Sequence, residues 1–500
     1  MRLLDTWTIK LREEEESHTV KYAILSHRWE EEEVTYQDMQ GNQAPRLFGY
    51  QKIVSACEKA REMGYDRIWI DTCCIDKTSS VELSQAINSM FQYYQGAQTC
   101  IAFLSDWDAT SKESLSESKW FKRGWTLQEL LAPQRVSFYD EKWNYRGDRI
   151  KLCKEIHAIT RIQTGVLNGS TPLADVPVAV RMSWASSRET KYIEDIAYCL
   201  LGIFDINMPL LYGEGSKAFL RLQEEIIKQS TDMSIFAWCS EVKKQKYTGL
   251  LASSPKQFES MHTLVVNPDA SIHSREYNIT NRGIRFHLSL AQDEKSGYFL
   301  LPINHGYVKG ENLGVFLRQV GTNLFVRARP CEKLEILHGG DVANKELTAA
   351  DGSFHVKTLS LEQSDAIEKN VLSIQTPEEA TLDYVEPVGS WSQSEKMLYA
   401  GHTGVFVGYM QYSSAWSDAF DTFVLVCRFA KNHWSYGLVP GDDWTEIKPH
   451  FYEMYRNEDN LFQQDTELVL PHLWKDRNVK VVKASFGDGR LRLAYLHRHD

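Results

Sequence analysis

No apolar run in this 500-residue chain approaches the roughly 20 residues that span a bilayer, which excludes a helical membrane anchor. Basic residues are in deficit: 56 Lys and Arg stand against 67 Asp and Glu, for a formal net charge of -11. A general nucleic-acid binder needs a basic face, so that class is excluded. Cysteine is sparse. Nine residues, an odd number without regular spacing, do not make a disulfide framework and suit a reducing compartment. The opening segment MRLLDTWTIKLREEEE has its apolar character broken by Asp5 and Lys10, unlike a secretory signal. Low-complexity linkers and strong internal repeats are also missing. A cytoplasmic protein with neither membrane nor nucleic acid among its partners is expected.

What is present is the composition of a globular protein, 43% hydrophobic and 12% aromatic, long enough for two or three domains. Apolar strand-like runs alternate with helical spacing in the first 150 residues. Tyr22–Leu25 is followed at once by Ser26-His27-Arg28-Trp29. Residues 50–63 carry Ile53, Ala56, Cys57 and Ala60 at helical spacing and stop at Gly64, as at a C-cap. Residues 67–70 form a second run, ending in Asp71-Thr72-Cys73-Cys74-Ile75-Asp76-Lys77. A helix over 80–94, a strand over 99–104 and a strand over 135–139 follow. Alternation with short connections predicts a parallel sheet covered by helices. In such a sheet, residues just past the strands' C-terminal ends line the ligand crevice, which makes Ser26, His27, Arg28, Trp29 and Asp71 candidates. Arginine binds anions in a fork, and tryptophan stacks on flat rings. The acidic runs 13–16 and 30–33 read as solvated turns, since consecutive carboxylates do not converge on one ion.

Between two of these runs lies SKWFKRGWTLQELLAP, residues 118–133. A helix there places Trp120, Gly124, Leu127 and Leu131 on one face and Trp125 beside Glu129 on another. Two readings stay open. Thr126-x-x-Glu129 fits a capping box, in which the glutamate only satisfies backbone donors. Alternatively, an indole beside a carboxylate is a site. Residues 150–235 read as mostly helical, with apolar periodicity over 193–204 and 216–227; Gly213-Glu214-Gly215 reads as a turn that starts the second of these. The stretches Arg181–Trp184 and Ser186–Glu189 have no role that spacing reveals. Beyond about residue 245 short alternating runs recur, separated by turn residues such as Asn281-Arg282-Gly283, Asp351-Gly352 and Gly487-Asp488-Gly489, which predicts an antiparallel, sandwich-like domain. The expected domains are 1–150, 151–240 and 245–500.

Four blocks, YAILSHRW (22–29), WIDTCCIDK (69–77), ELSQAINSMFQYY (82–94) and WFKRGWTLQELLAP (120–133), resemble in their order the fungal heterokaryon-incompatibility (HET) domain. DVPVAVRMSWASSRET (175–190) and residues 193–230 continue the resemblance, which covers roughly 20–240. It implies a role in programmed cell death after non-self recognition, often beside nucleotide-binding receptor proteins, with self-association. HET domains are in turn similar to Toll-receptor-type (TIR) domains, whose sheet is flavodoxin-like. That likeness implies NAD as substrate, not a bound cofactor, with Glu129 at the position of the TIR glutamate that serves NAD cleavage. Trp29 or Trp125 would stack on a ring, and Arg28 or Arg123 would bind the pyrophosphate. Thr126 stands where TIR domains often carry cysteine, and the loop after the first strand differs, so fold transfers more safely than activity. A non-enzymatic death-signalling adaptor, with the tryptophans as interface anchors, is the competing class. A cysteine hydrolase built on Cys73 or Cys74 with His27 and Asp71 lacks a surrounding signature, and a zinc site from the same residues lacks paired Cys-x-x-Cys spacing.

Overall fold

The computed structural model describes residues 1–14, 20–41, 43–108, 114–243, 245–267, 276–288, 290–292, 298–321, 323–337, 343–345, 353–357, 370–378, 380–387, 390–392, 396–400, 405–414, 421–430, 433–452, 466–469, 478–487 and 490–499. The acidic pair 15–16 and the turns 351–352 and 488–489 lie outside the described residues. The chain divides into two units. The first comprises Met1–Cys239, Leu251–Ser274 and Asn304–Gly310, and the second the remainder.

The first unit is built on a seven-stranded sheet: β1 (Arg2–Asp5), β2 (Lys10–Glu13), β3 (Ala23–His27), β4 (Arg67–Trp69), β5 (Thr99–Phe103), β6 (Val136–Tyr139) and β7 (Tyr145–Asp148). Their order is β2-β1-β4-β3-β5-β6-β7. The four inner strands β4, β3, β5 and β6 run parallel, as the apolar runs predict, with Ile24 level with Trp69 on one side and Cys100 on the other. All five residues of β3 and of β5 are buried, as a strand covered on both faces requires. The flanking β1, β2 and β7 pair antiparallel at the edges and had no clear signal, being short and rich in charge. Chain order reverses at β3: the next parallel strand, β4, pairs on one side of it and β5 on the other.

Helices Tyr50–Glu62 and Ser80–Gly96 form where the periodicity places them, and Gly64 takes the left-handed φ of +84° expected after a helix end. Three local expectations change. Ser26 and His27 belong to β3 itself, because pairing with β5 runs on through His27↔Phe103. Asp71 begins a one-turn helix, Asp71–Cys74, immediately after β4. The single helix expected over 118–133 is two pieces, a 3₁₀ turn Lys119–Lys122 and an α-helix Thr126–Leu131. The break is tertiary in origin: Gly124 N–H donates to Glu189 O at 2.9 Å and Glu189 N–H to Lys122 O at 2.6 Å, forming a bridge in place of helical bonds. A Cβ on Gly124 would meet Thr190 Cγ2 at 2.5 Å, so only glycine allows this approach. The periodic stretch 193–204 likewise divides into Asp195–Tyr198 and Leu201–Phe204, whereas Lys217–Gln229 is continuous. Among the described residues no helix is long and apolar enough to cross a membrane.

The second unit is β-rich, as expected. Among the described residues its strands form a ten-stranded, a six-stranded and a four-stranded sheet, paired antiparallel except for Leu324–Ala328 with Ser353–Val356 and Val371–Gln375 with Arg490–His499. The predicted turn at 281–283 joins Tyr277–Thr280 to Gly283–His287 in a hairpin. Long hairpin strands Val405–Ser414 and Asp421–Ala430 bury Met410, Tyr412, Phe423 and Leu425 in one core.

Trp69 is 1% exposed on β4, with the rings of Tyr93 and Tyr94 at 5.6 and 5.9 Å. Trp69→Ala is expected to destabilise the protein by about 3–5 kcal/mol, the usual cost of truncating a buried aromatic, read as a shift of the denaturant midpoint.

Candidate functional site

The reversal of strand order at β3 opens a crevice at the C-terminal ends of the parallel strands, where side chains need no ladder partner. A cavity of about 720 Å³ is lined by Arg28 and Trp29 past β3, by Asp71 and Lys77 past β4, and by Arg123, Trp125 and Glu129 before β6. Six of the eight residues chosen from the sequence therefore share one cavity. The other two, Ser26 and His27, are fully buried in β3 and do not line it.

Ser26 acts on the site from behind. Its hydroxyl donates to Glu129 Oε2 at 2.5 Å and accepts from Trp120 Nε1 at 2.9 Å. Glu129 is 8% exposed, and the Tyr94 hydroxyl donates to Leu25 O at 3.1 Å. Burial pushes the Glu129 carboxyl up to about 7; the Ser26 hydrogen bond pulls the other way, and the charge of Asp71 adds to the rise. The capping-box alternative does not hold. Thr126 is already inside the helix, and its hydroxyl donates to the carbonyls of Trp120 and Arg123 at 2.5 and 2.9 Å. Glu129 is bonded to Ser26 of β3, not to its own helix start.

His27 lies between Glu33 Oε2 and Asp71 Oδ1, each 3.9 Å from a ring nitrogen. Burial holds its pKa well below the ordinary value, and Lys52, Arg123 and Lys77 add to the effect, so the ring is neutral. It is correspondingly placed behind Asp71 and not toward a ligand. Cys73 and Cys74 are buried, with Cys73 Sγ 3.9 Å from Ile70 O and Cys74 Sγ accepting from Ile70 N–H at 3.4 Å. The Cys73 thiol is pushed well above its usual range by its neighbour Cys74 and by burial, the reverse of an activated nucleophile.

Trp29 is tied down on its edge and its face. Its indole donates to Asp71 Oδ2 at 2.7 Å, Lys77 Nζ stands 3.5 Å from the ring centroid, and the Arg123 guanidinium lies 5.4 Å from it. A ring face already covered by an ammonium is a poor platform for a ligand, which leaves stacking to Trp125. The cations are better placed for an anion. Nearby carboxylates take neutral donors, Asp71 from Trp29 and Glu129 from Ser26, and Glu33 pairs with Lys52 at 2.5 Å. Arg123 Nε is buried without a hydrogen-bond partner. Arg28, Lys77 and Arg123 thus converge on the cavity with charge to offer.

Sequence reasoning missed Lys77 and the wall formed by Glu189, Thr190, Lys191, Tyr192, Asp195 and Tyr212. Lys77 ends a block that was singled out, but the others lie too far along the chain for any periodicity to connect them. It also missed two buried arginines that hold the Glu129 helix at both ends. Arg188 donates to Arg123 O at 2.8 Å and Thr126 Oγ1 at 3.0 Å, and Arg149 donates to Leu130 O at 2.6 Å.

Comparison with known proteins agrees with this block pattern. Residues 22–117 match the family model described as heterokaryon incompatibility protein (HET), and the chain carries a HET domain. Residues 217–248 match a domain of unknown function (DUF8212). Over 219 residues the chain is 46% identical to the vegetative incompatibility protein HET-E-1 of Podospora anserina, covering 41% of this chain and 16% of that protein. The chain therefore spans only a small part of that relative's length. No solved structure matches significantly.

The Glu129 carboxyl binds its proton more tightly in the folded chain (about 7) than at its ordinary value of 4.5. Its contribution to stability is fully present below the lower value, and it is lost as pH rises between the two, where only the folded state stays protonated. Relative to Glu129→Gln, the parent is expected to lose about 3 kcal/mol across that window, measured by urea unfolding at stepped pH. A flat difference would show an unperturbed carboxyl.

Proposed function

We propose that this chain is an effector of heterokaryon incompatibility that promotes cell death by cleaving the N-glycosidic bond of NAD, releasing nicotinamide, after self-association. The observation that carries the reading is the buried Glu129 carboxyl, held by Ser26 in a cavity whose lining includes Arg28, Lys77, Arg123 and the Trp125 ring. The inner strand order β4-β3-β5-β6, second-first-third-fourth of the parallel set, is that of the flavodoxin type of doubly wound sheet, the fold of TIR domains. The cavity sits at the switch point where such folds bind ligands.

The chemistry asks little beyond these residues. The bond between ribose C1′ and the pyridinium nitrogen breaks, and its electron pair leaves on nitrogen, cancelling the ring's charge. Nicotinamide departs neutral and needs no general acid. The oxocarbenium-like C1′ is stabilised by ionised Glu129, or through a ribose hydroxyl bonded to it, and water then adds and releases a proton. Arg28, Lys77 and Arg123 would hold the pyrophosphate, and Trp125 the nicotinamide. HET-E-1 is named a vegetative incompatibility protein, which supports placing this chemistry in the same setting. Nucleotide-binding receptor proteins are the proposed upstream partners, and the cytoplasm the proposed location.

One observation favours the adaptor class. Tyr192, Ile193 and Leu211 are about half exposed, an apolar patch suited to a partner or a second copy. Trp29 and Trp125 fit that class less well, since both are inside the cavity.

Glu129→Gln separates the readings. Glutamine keeps the shape and removes the charge, so turnover of NAD is expected to fall by roughly 10²-fold, about 2.7 kcal/mol, the scale of one electrostatic catalytic contact. Parental turnover should rise as pH passes about 7, where Glu129 ionises. A variant that cleaves NAD at the parental rate removes Glu129 from the mechanism.

A further inference from the structure

The wall that the sequence did not reveal is organised by two consecutive carboxylates. Glu194 Oε1 accepts the backbone N–H groups of Gly213 and Gly215, both at 2.9 Å. Those glycines have φ of +103° and +62°, so the Tyr212-Gly213-Glu214-Gly215 loop curls its amides around this carboxylate. The next residue, Asp195, accepts from the Tyr212 hydroxyl at 2.9 Å, and it lines the same cavity as Trp125. Tyr198 completes the clamp: its hydroxyl accepts from Leu211 N–H at 2.8 Å and donates to Glu214 Oε1 at 3.0 Å. Asp195 is buried, whereas the Tyr212 ring it holds is 45% exposed and stands in edge contact with Tyr192, 5.6 Å between centroids.

We infer that Asp195 is a specificity-determining, positioning residue of the cavity: by holding Tyr212 in the wall that it shares with Trp125 it forms the slot for the cationic nicotinamide ring and favours the oxidised over the reduced form. The inference rests on the reading of the cavity as an NAD site. Trp125 is one helical turn from Glu129, and the carboxylate that stabilises C1′ must sit beside the ribose bearing nicotinamide. The ring held next to Trp125 is therefore that one and not adenine. Against the burial that pushes its carboxyl up, Asp195 takes a hydrogen bond from the neutral Tyr212 hydroxyl, which together with the nearby charge of Arg123 favours its ionised form. Its charge complements a pyridinium and offers nothing to the uncharged dihydropyridine.

The test uses the full chain carrying Glu129→Gln, so that ligand is consumed far more slowly than it binds, and follows tryptophan fluorescence. Three probes are titrated: nicotinamide mononucleotide, its reduced form, and ADP-ribose. With Asp195 intact, the oxidised mononucleotide should bind more tightly than the reduced one. Adding Asp195→Asn should weaken the oxidised form about tenfold or more, the effect of one lost charged contact, and leave ADP-ribose within about twofold. Equal affinity for all three probes before and after the substitution overturns the assignment. So does a parallel loss for oxidised mononucleotide and ADP-ribose, which would mark Asp195 as structural. If Asp195→Asn does not fold, Tyr212→Phe, which keeps the ring, must still weaken the oxidised mononucleotide; an unchanged affinity there also overturns it. A parent that binds none of the probes while its thermal melt is normal sinks the NAD reading itself, and this assignment with it.

Discussion

The hydrogen bond from Ser26 to Glu129 joins residues 103 apart in sequence and sets the character of the site. Ser26 is fixed by the β3 ladder, and Trp120 donates to one of its hydroxyl's acceptor sites, which orients the hydroxyl's own proton toward Glu129. The carboxylate that receives the bond is buried in the cavity lining, where it is costly to ionise without such donors. The result is an acid whose charge is balanced near neutrality, in contrast to one that is permanently charged or permanently neutral. A carboxylate in water would carry more charge and exert less field on a neighbouring cation.

That bond is productive only if the Glu129 helix stays where it is, and six residues of helix have little stability of their own. Tertiary contacts supply what local structure lacks. Arg149 satisfies carbonyls at its C-terminal end, and Arg188 ties Arg123 O and Thr126 Oγ1 at its start. Burial lowers the pKa of both guanidiniums without removing their charge, and backbone carbonyls accept the protons that carboxylates would otherwise take. The arginine within Ser186–Glu189, a stretch whose spacing suggests no role, is thus structural support for the candidate catalytic group.

Much of the fold was legible because buried parallel strands announce themselves as apolar runs, and Gly64 marks a helix end through its backbone freedom. The indole and carboxylate four residues apart were legible for the same local reason. What was not legible depends on contacts distant in sequence. The break at Gly124 follows from pairing with Glu189, and the placement of Ser26 and His27 inside β3 follows from how far β5 extends alongside it. Asp195 and Tyr212 reach the cavity from segments some 70 and 90 residues beyond the Trp125 helix, and nothing in their spacing connects them to it. The glycine loop at 213–215 was correctly a turn, but its amides are taken by Glu194, which only the tertiary structure reveals.

The central claim is that the cavity at the strand-order reversal cleaves NAD. It is tested most directly by incubating the purified chain with NAD at pH 8, over a range of protein concentrations, and resolving the products by chromatography. The account predicts nicotinamide and ADP-ribose in equal amounts, at a rate per molecule that increases as self-association sets in. NAD left intact at every concentration, by protein whose melting curve is cooperative, would contradict it.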